Sequence, residues 1–319
     1  MTKLAVILGI SGQDGTLLAK LLVSKGYDVI GTSRYCCEKK PNNLYSIGVA
    51  SQVVIEQLQL NDYYSVYAFL RRVKPDELYN LSGQSSVAKS FHVPRETIES
   101  HVVTTLNILE AIRSLEEPVK FFNAGSAECF GHSDRAIHES MPLNPCSPYG
   151  VAKSAAIMQT VSYRNSYGIF ASTGILFNHE SPFRPETFAT RKVIKAACRI
   201  AQGSNEVLEM GSLVVNRDWG WAEEYVNAMW MMLQEDRPDD FVIATGEVNS
   251  LQDFVSYVFE YLGLKWTDHV VSNPELLRTS EILMSYGDAS KIRDVVGWEA
   301  QYKMRDVIAK MVAYEQNGF

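Results

Sequence analysis

LAVILGISGQDGTLLAKLLVSKGYDVI, residues 4–30, joins an apolar run, a glycine-rich bend, a leucine-bearing stretch and a second apolar run. Leu4–Leu8 is short, continuously apolar and stopped by glycine, which predicts a buried strand. Leu17, Leu18, Leu21 and Leu22 share one helical face, so 16–25 predicts a helix and 28–32 a second strand. Gly9, Gly12 and Gly15 occupy the turn between the first strand and the helix. Glycines at such a junction permit a tight bend and let backbone amides approach a pyrophosphate, which the helix N-terminus then holds. The spacing is G-x-x-G-x-x-G, whereas the commonest dinucleotide fingerprint is G-x-G-x-x-G. Placement at the first strand–helix junction therefore carries the inference of a dinucleotide site.

Working outward, 53–56, Glu77–Asn80, 120–123, Ala171–Leu176 and 241–244 read as further short strands. Helical stretches at 62–73, 97–115 and from Tyr149 to Tyr167 alternate with them. Strands alternating with helices predict an α/β fold with a doubly wound parallel (Rossmann-type) sheet. Beyond Phe177 the pattern turns irregular, with prolines at 182 and 185, then helices at 190–202 and 250–262. The expected organisation is a dinucleotide-binding domain from 1–176 and 221–249. A smaller, interleaved substrate lobe from 177–220 and 250–319 covers the sheet's C-terminal edge.

Composition excludes several classes. The chain has 319 residues, 46% hydrophobic and 21% charged, with a formal net charge of −7. That balance belongs to a globular chain and argues against general binding of nucleic acid, which needs excess Lys and Arg. No apolar run reaches the ~20 residues of a membrane span. Five cysteines, two of them adjacent at 36 and 37, make neither a disulfide framework nor a Cys-x-x-Cys metal site. A reduced, cytoplasmic protein without a metal centre is the expectation.

Ser147-Pro-Tyr149-Gly-Val-Ala-Lys153 places a tyrosine and a lysine one helical turn apart on the same face. A phenol near pKa ~10 is a poor base at neutral pH, and an adjacent ammonium favours its phenolate. Behind a glycine turn and several strand–helix units, Tyr149 and Lys153 are the expected catalytic pair for moving a proton as a hydride leaves carbon. The strand at 120–123 runs into Ala124-Gly-Ser126-Ala127-Glu128, where Ser126 could hydrogen-bond the reacting hydroxyl. Alcohol oxidation needs no carboxylate, so Glu128 suggests a second proton transfer. At the end of the second strand, Arg34 stands where a carboxylate would suit a free ribose 2′-hydroxyl. Its guanidinium could pair with a 2′-phosphate, which favours NADP.

Together these motifs resemble the extended short-chain dehydrogenase/reductase superfamily, and within it the GDP-mannose 4,6-dehydratase family, over nearly the whole chain. The family's first turn is matched by Gly12-Gln13-Asp14-Gly15, and its Pro-Asp-Glu-Val-Tyr-Asn-Leu-Ala-Ala-Gln-Ser segment is nearly reproduced by residues 75–85. Asn178-His-Glu-Ser-Pro182, Thr190-Arg-Lys192, Arg217-Asp-Trp-Gly220, Arg278-Thr-Ser-Glu281 and Gly287-Asp-Ala-Ser-Lys291 also fit its pattern, as does Gly297-Trp298.

The resemblance implies Ser126, Glu128, Tyr149 and Lys153 as catalytic residues. It implies Gln13, Asp14, Leu60, Leu81, Gln84 and Ser85 at the cofactor beside the three glycines and Arg34. Asn178, Lys192, Arg217, Arg278 and Glu281 would hold a GDP-sugar. Several positions depart from the family. Ala127 replaces a serine, and Leu58-Gln59-Leu60 stands for Gly-Asp-Leu. Tyr35-Cys-Cys replaces Arg-Ser-Ser, and Phe183 takes the place of an arginine usual beside the substrate. The implied reaction is NADP-dependent 4,6-dehydration of GDP-mannose or a related GDP-sugar. A 4-reductase or epimerase of the superfamily and a non-catalytic NADP-binding sensor are the alternatives. A homodimer or homotetramer is implied, paired through the helices at 97–115 and after Tyr149, with Ala155, Ala156, Ile157 and Val161 among the contact candidates.

Overall fold

The computed structural model describes residues 2–34, 42–277 and 280–317. Its central strands are β1 (Leu4–Leu8), β2 (Asp28–Ser33), β3 (Val53–Gln57), β4 (Glu77–Asn80), β5 (Lys120–Ala124), β6 (Ala171–Leu176) and β7 (Asp240–Ile243). The longer helices are α1 (Gln13–Ser24), α2 (Tyr63–Val73), α3 (Thr104–Arg113), α4 (Pro148–Tyr167), α5 (Ala189–Ala201), α6 (Ala222–Gln234), α7 (Leu251–Tyr261) and α8 (Met304–Asn317).

The seven strands are all parallel, in the order β3-β2-β1-β4-β5-β6-β7. Alternate side chains explain the two layers of helices. Ala5, Ile7, Tyr79 and Phe122 point into one core with α1 and α6, while Val6, Leu8, Leu78 and Phe121 point into the opposite core with α2 and α3. Burial on both faces is why the strands read as continuous apolar runs. The chain reverses its direction of travel across the sheet between β1 and β4. Open α/β sheets bind ligands at the C-terminal ends of the strands at such a reversal.

A separate apolar core unites α5, α7 and α8 through Ile194, Phe254, Phe259, Ile308 and Met311. Short strands join this lobe to the sheet's C-terminal edge. Asn178–Glu180 pairs with Trp219–Trp221, and Asn216–Arg217 pairs with both Asn249–Ser250 and Met284–Ser285. Ile292, Val296 and Trp298 pack with the first core instead, so late chain returns to the central sheet.

Two local readings need correction. The stretch 97–115 is no uniform helix: Pro94–Ile98 leads into a π-helical segment, Glu99–Val103, before α3 begins. Helix α6 was not anticipated. Tyr225, Val226, Ala228, Met229, Met232 and Leu233 are buried, and Trp230 and Met231 stand on the outward side with Glu223, Asn227 and Gln234, so the polar face that makes a helical period visible is interrupted.

Candidate active site

The glycines of the first turn have two different justifications. Gly9 has φ +86°, and a Cβ there would lie 2.8 Å from the Leu81 carbonyl oxygen. A Cβ on Gly15 would lie 2.4 Å from the Gly9 carbonyl oxygen and 2.7 Å from Ile10 Cα. The fold itself therefore requires both. Gly12 has extended backbone, and its Cβ would meet only the Gly9 carbonyl, at 3.5 Å. What Gly12 preserves is open space at the start of α1, where no side chain caps the first amides. An uncapped helix start with room for an anion fits a pyrophosphate.

Gly9, Gly12, Arg34, Leu58, Gln59 and Leu60 line a cavity beside that turn. Ser85, Ser126, Glu128, Tyr149, Lys153, Asn178, Arg217 and Glu281 line a second. Leu81, Ser82 and Gly83, just past β4, border both. The two cavities thus meet at the sheet's reversal point. Arg34 is exposed within the first and pairs with Glu96 at 3.6 Å.

Gln13 and Gln84 face elsewhere. Gln13 Nε2 donates to the His179 carbonyl at 3.0 Å and its Oε1 accepts from Ser181 Oγ at 2.8 Å, tying α1 to the segment after β6. Gln84 Nε2 donates to the Ser86 carbonyl at 2.8 Å. Asp14 accepts from His179 Nε2 at 3.0 Å on the cleft wall. Burial alone would raise the Asp14 carboxyl and lower the His179 imidazole. Their attraction reverses both, leaving Asp14 below and His179 above its usual range.

Helix α4 starts where it must to build the catalytic corner. Ser147 Oγ accepts from the Gly150 amide at 3.0 Å, and Pro148 occupies the first turn. Gly150 lets this helix start approach the loop after β5, since a Cβ there would lie 2.7 Å from the Glu128 carbonyl oxygen. Tyr149 and Lys153 are thereby buried against Ser126 and beside Glu128. Lys153 Nζ donates to the Ala124 carbonyl at 2.7 Å and lies 5.9 Å from the Tyr149 ring centre.

The electrostatics correct one expectation. Burial raises the Tyr149 phenol above its ordinary value, although a hydrogen bond with Ser126 and the charge of Arg184 pull it down. Lys153 is itself pushed down to about 8 by burial. Desolvation of the phenolate thus outweighs the help expected of a neighbouring ammonium, and in this state the proton stays on Tyr149.

The nucleotide-sugar residues are only partly gathered. Arg217 and Glu281 meet in the cleft, Nη2 to Oε1 at 3.4 Å, with Asn178 on the same wall. Lys192 Nζ instead donates to the Glu209 carbonyl at 2.6 Å, outside both linings. Arg278 lies outside the described residues, as do residues 35–40. Phe183 packs against the first core, whereas its neighbour Arg184 lines the cleft. Arg184, His179 and His101 were missed as site residues. His179 lies inside a quoted motif, but nothing local in the sequence marks His101 or Arg184. Among the described residues no cluster could hold a metal ion, and no helix is long and apolar enough to cross a membrane.

Sheet order, glycine turn and the Tyr149–Lys153 corner define an enzyme of the extended short-chain dehydrogenase/reductase class. The model of the family described as GDP-mannose 4,6 dehydratase matches residues 6–311. The chain belongs to that family. It is 42% identical to GDP-mannose 4,6 dehydratase 2 of Arabidopsis thaliana, over 97% of this chain and 86% of the relative. It is 38% identical to GDP-mannose 4,6-dehydratase of Sinorhizobium fredii, over 97% and 95%. The solved dTDP-glucose 4,6-dehydratase of Bacillus anthracis in complex with NAD shares the fold with a TM-score of 0.86 at 17% identity, covering 99% and 97%. UDP-glucose 4-epimerase of Thermotoga maritima does so at 0.85 and 18%, covering 98% of each chain.

Proposed function

We propose that this chain catalyses NADP-dependent 4,6-dehydration of a GDP-sugar, GDP-mannose or a close relative, to the 4-keto-6-deoxy sugar nucleotide. The observation that carries the reading is a carboxylate, Glu128, in the same cleft as Ser126, Tyr149 and Lys153. A plain oxidoreductase has no use for it. Gly9, Gly12 and Gly15 hold the cofactor pyrophosphate, Arg34 the 2′-phosphate, and Leu60, Leu81 and Ser85 its flanks. Bound NADP⁺ would supply the hydride acceptor for C4 of the hexose and, once reduced, the hydride donor for C6. Tyr149 receives the O4 proton once it is ionised, which the charges of Lys153 and of the bound oxidised nicotinamide would favour over the ligand-free state, and Ser126 orients the hydroxyl. The new 4-ketone acidifies C5–H, and Glu128 removes that proton as general base. The C6 hydroxyl takes the proton that Glu128 gained and departs as water, and C5 regains a proton from Tyr149 or solvent as hydride reaches C6, so the cycle consumes no net reductant.

Arg217 pairs with the diphosphate, and Glu281 accepts hydrogen bonds from the guanosine. Asn178 contacts the same ligand, and family resemblance adds Lys192 and Arg278. Asp14, Gln13 and Gln84 support the cofactor site through the loops they tie together. Incubating the pure protein with NADP⁺ and GDP-mannose tests the reading by product mass. Loss of one water without net NADPH change is expected. A product of unchanged mass, or stoichiometric cofactor turnover, contradicts it.

We propose also that the sheet with the cores on its two faces is a dinucleotide-binding domain, that the separate core of α5, α7 and α8 is a substrate lobe, and that the working unit is a homodimer or a homotetramer. Ala156 and Ile157 are buried within the chain, so they cannot form the contact. Leu106, Val151 and Met158, exposed on α3 and α4, offer the apolar face that supports it. Light scattering at the monomer mass of 35.8 kDa would overturn the dimer. Unpaired Cys129, Cys146 and Cys198 support a cytoplasmic location. Accumulation of the intact protein in an extracytoplasmic fraction would overturn it.

A further inference from the structure

His101 belongs to none of the motifs quoted above and to no step above, yet it lines the catalytic cleft against Gly83, which borders both cavities. The π-helical segment Glu99–Val103 places it there. A π-turn widens the helix and re-aims a side chain that a regular helix would direct elsewhere. The imidazole is 4% exposed and lines the cleft. Its Nε2 lies 2.8 Å from the Gln84 carbonyl oxygen. A carbonyl only accepts, so Nε2 carries the proton. The ring stands perpendicular to the Tyr149 ring, centres 5.4 Å apart. On its third side is Gly83, with φ +117°, where a Cβ would lie 2.3 Å from His101 Cε1. The quoted family segment has alanine at that place. Gly83 and His101 are therefore fitted to each other in this chain.

We propose that His101 is a positioning residue with two separable contacts: its Nε2–H fixes the loop 81–86 that borders both cavities, and its ring sets the orientation of the Tyr149 phenol. Burial and the nearby Lys153 ammonium hold the imidazole down at about 3, so it stays neutral and its donor stays in place at working pH. A second cation beside Lys153 is avoided by the same means. Losing the donor leaves a buried carbonyl unsatisfied and lets the loop move at the cofactor side. Losing the ring frees Tyr149 on the chemical side.

The ring half rests on the proposed dehydration, whereas the loop half needs only cofactor binding, so the two ideas can fail separately. His101→Gln retains a donor near the Nε2 position and removes the ring. His101→Phe retains a ring and removes the donor. Cofactor Kd, read by fluorescence titration with NADPH, and kcat for GDP-mannose at saturating ligands are measured for both. His101→Gln should keep Kd within about 2-fold and lose about 10-fold or more in kcat, as misplacing a reacting group does. His101→Phe should weaken Kd by about 10-fold, the scale of one buried hydrogen bond, and keep more of the wild-type kcat than His101→Gln. Equal effects of the two variants on both constants, or wild-type values throughout, would overturn the proposal. If the wild type leaves GDP-mannose unchanged, the dehydratase reading fails, while the Kd contrast still decides the loop contact.

Discussion

The two ends of the cleft are built from different material. At the end proposed for the cofactor the first turn presents backbone: a bend held by Gly9 and Gly15, and an uncapped helix start kept open by Gly12. At the end proposed for the nucleotide sugar the surface includes the side chains of Asn178, Arg184, Arg217 and Glu281, brought in by three separate segments. At Gly9 and Gly15 that bend tolerates almost no added atom, because neighbouring peptide units cannot step aside. A side-chain site can exchange partners one at a time, as Phe183 beside Arg184 illustrates. The cofactor should therefore be the fixed element of this enzyme and the sugar the adjustable one.

Glycine substitutions strain that contrast hardest. Gly15→Ala forces a Cβ against two backbone groups and should destabilise the fold by ~1–3 kcal/mol, as overpacking does, with cofactor binding lost alongside. Gly12→Ala has room in the protein, so Tm should hardly change while NADPH affinity falls by about 10-fold or more, ~1.4 kcal/mol. Thermal melts and NADPH titrations of the pair check this. Equal loss of Tm in both would mean that Gly12 serves the fold and not the ligand.

A second effect lies in the pH dependence of stability. Burial lowers Lys153 from 10.5 to about 8 in the folded chain. Between those values the unfolded chain binds the extra proton, so stability carried by this group rises with pH. Without cofactor, the wild type should gain up to about 3 kcal/mol relative to Lys153→Met between pH 8 and 10.5. Parallel pH–stability curves would show that the lysine is less buried than its geometry states.

On the adjustable side, Arg217→Ala should raise KM for the GDP-sugar at least ~10-fold through loss of a charge-assisted contact, and leave NADPH affinity unchanged. An unchanged KM would make the Arg217–Glu281 pair a purely structural one. The smallest effect is expected at Arg34, an exposed side chain already paired with Glu96. Arg34→Ala should cost about 5-fold in NADP affinity and spare NAD. Equal losses for the two cofactors would remove its link to the 2′-phosphate.

The same division governs what could be read from the sequence. The sheet, the glycine turn and the Tyr149–Lys153 corner are local in the chain, and period and spacing reveal them. Helix α6 carries Trp230 and Met231 within its outward face, which blurs its period. The Asp14–His179 pair and the Gly83–His101 fit join residues remote from each other, and no local rule connects them. Lys192 shows the converse limit: it carries the right charge within the right motif, yet its ammonium binds the Glu209 carbonyl outside the cleft lining. Motif reading also supplies no sense of desolvation, which is why the rise in the Tyr149 pKa ran against expectation.

On the proposed mechanism Glu128 separates dehydration from simple oxidation, and one variant isolates it. Glu128→Gln preserves shape but cannot accept the C5 proton, while Tyr149, Lys153 and Ser126 still serve oxidation at C4. With NADP⁺ and GDP-mannose, the variant should bind both ligands yet lose dehydration by ~10²–10⁴-fold, the scale of a general base. It should also show NADPH absorbance that rises and does not discharge. A Glu128→Gln enzyme that releases water at the wild-type rate would contradict the account at its centre.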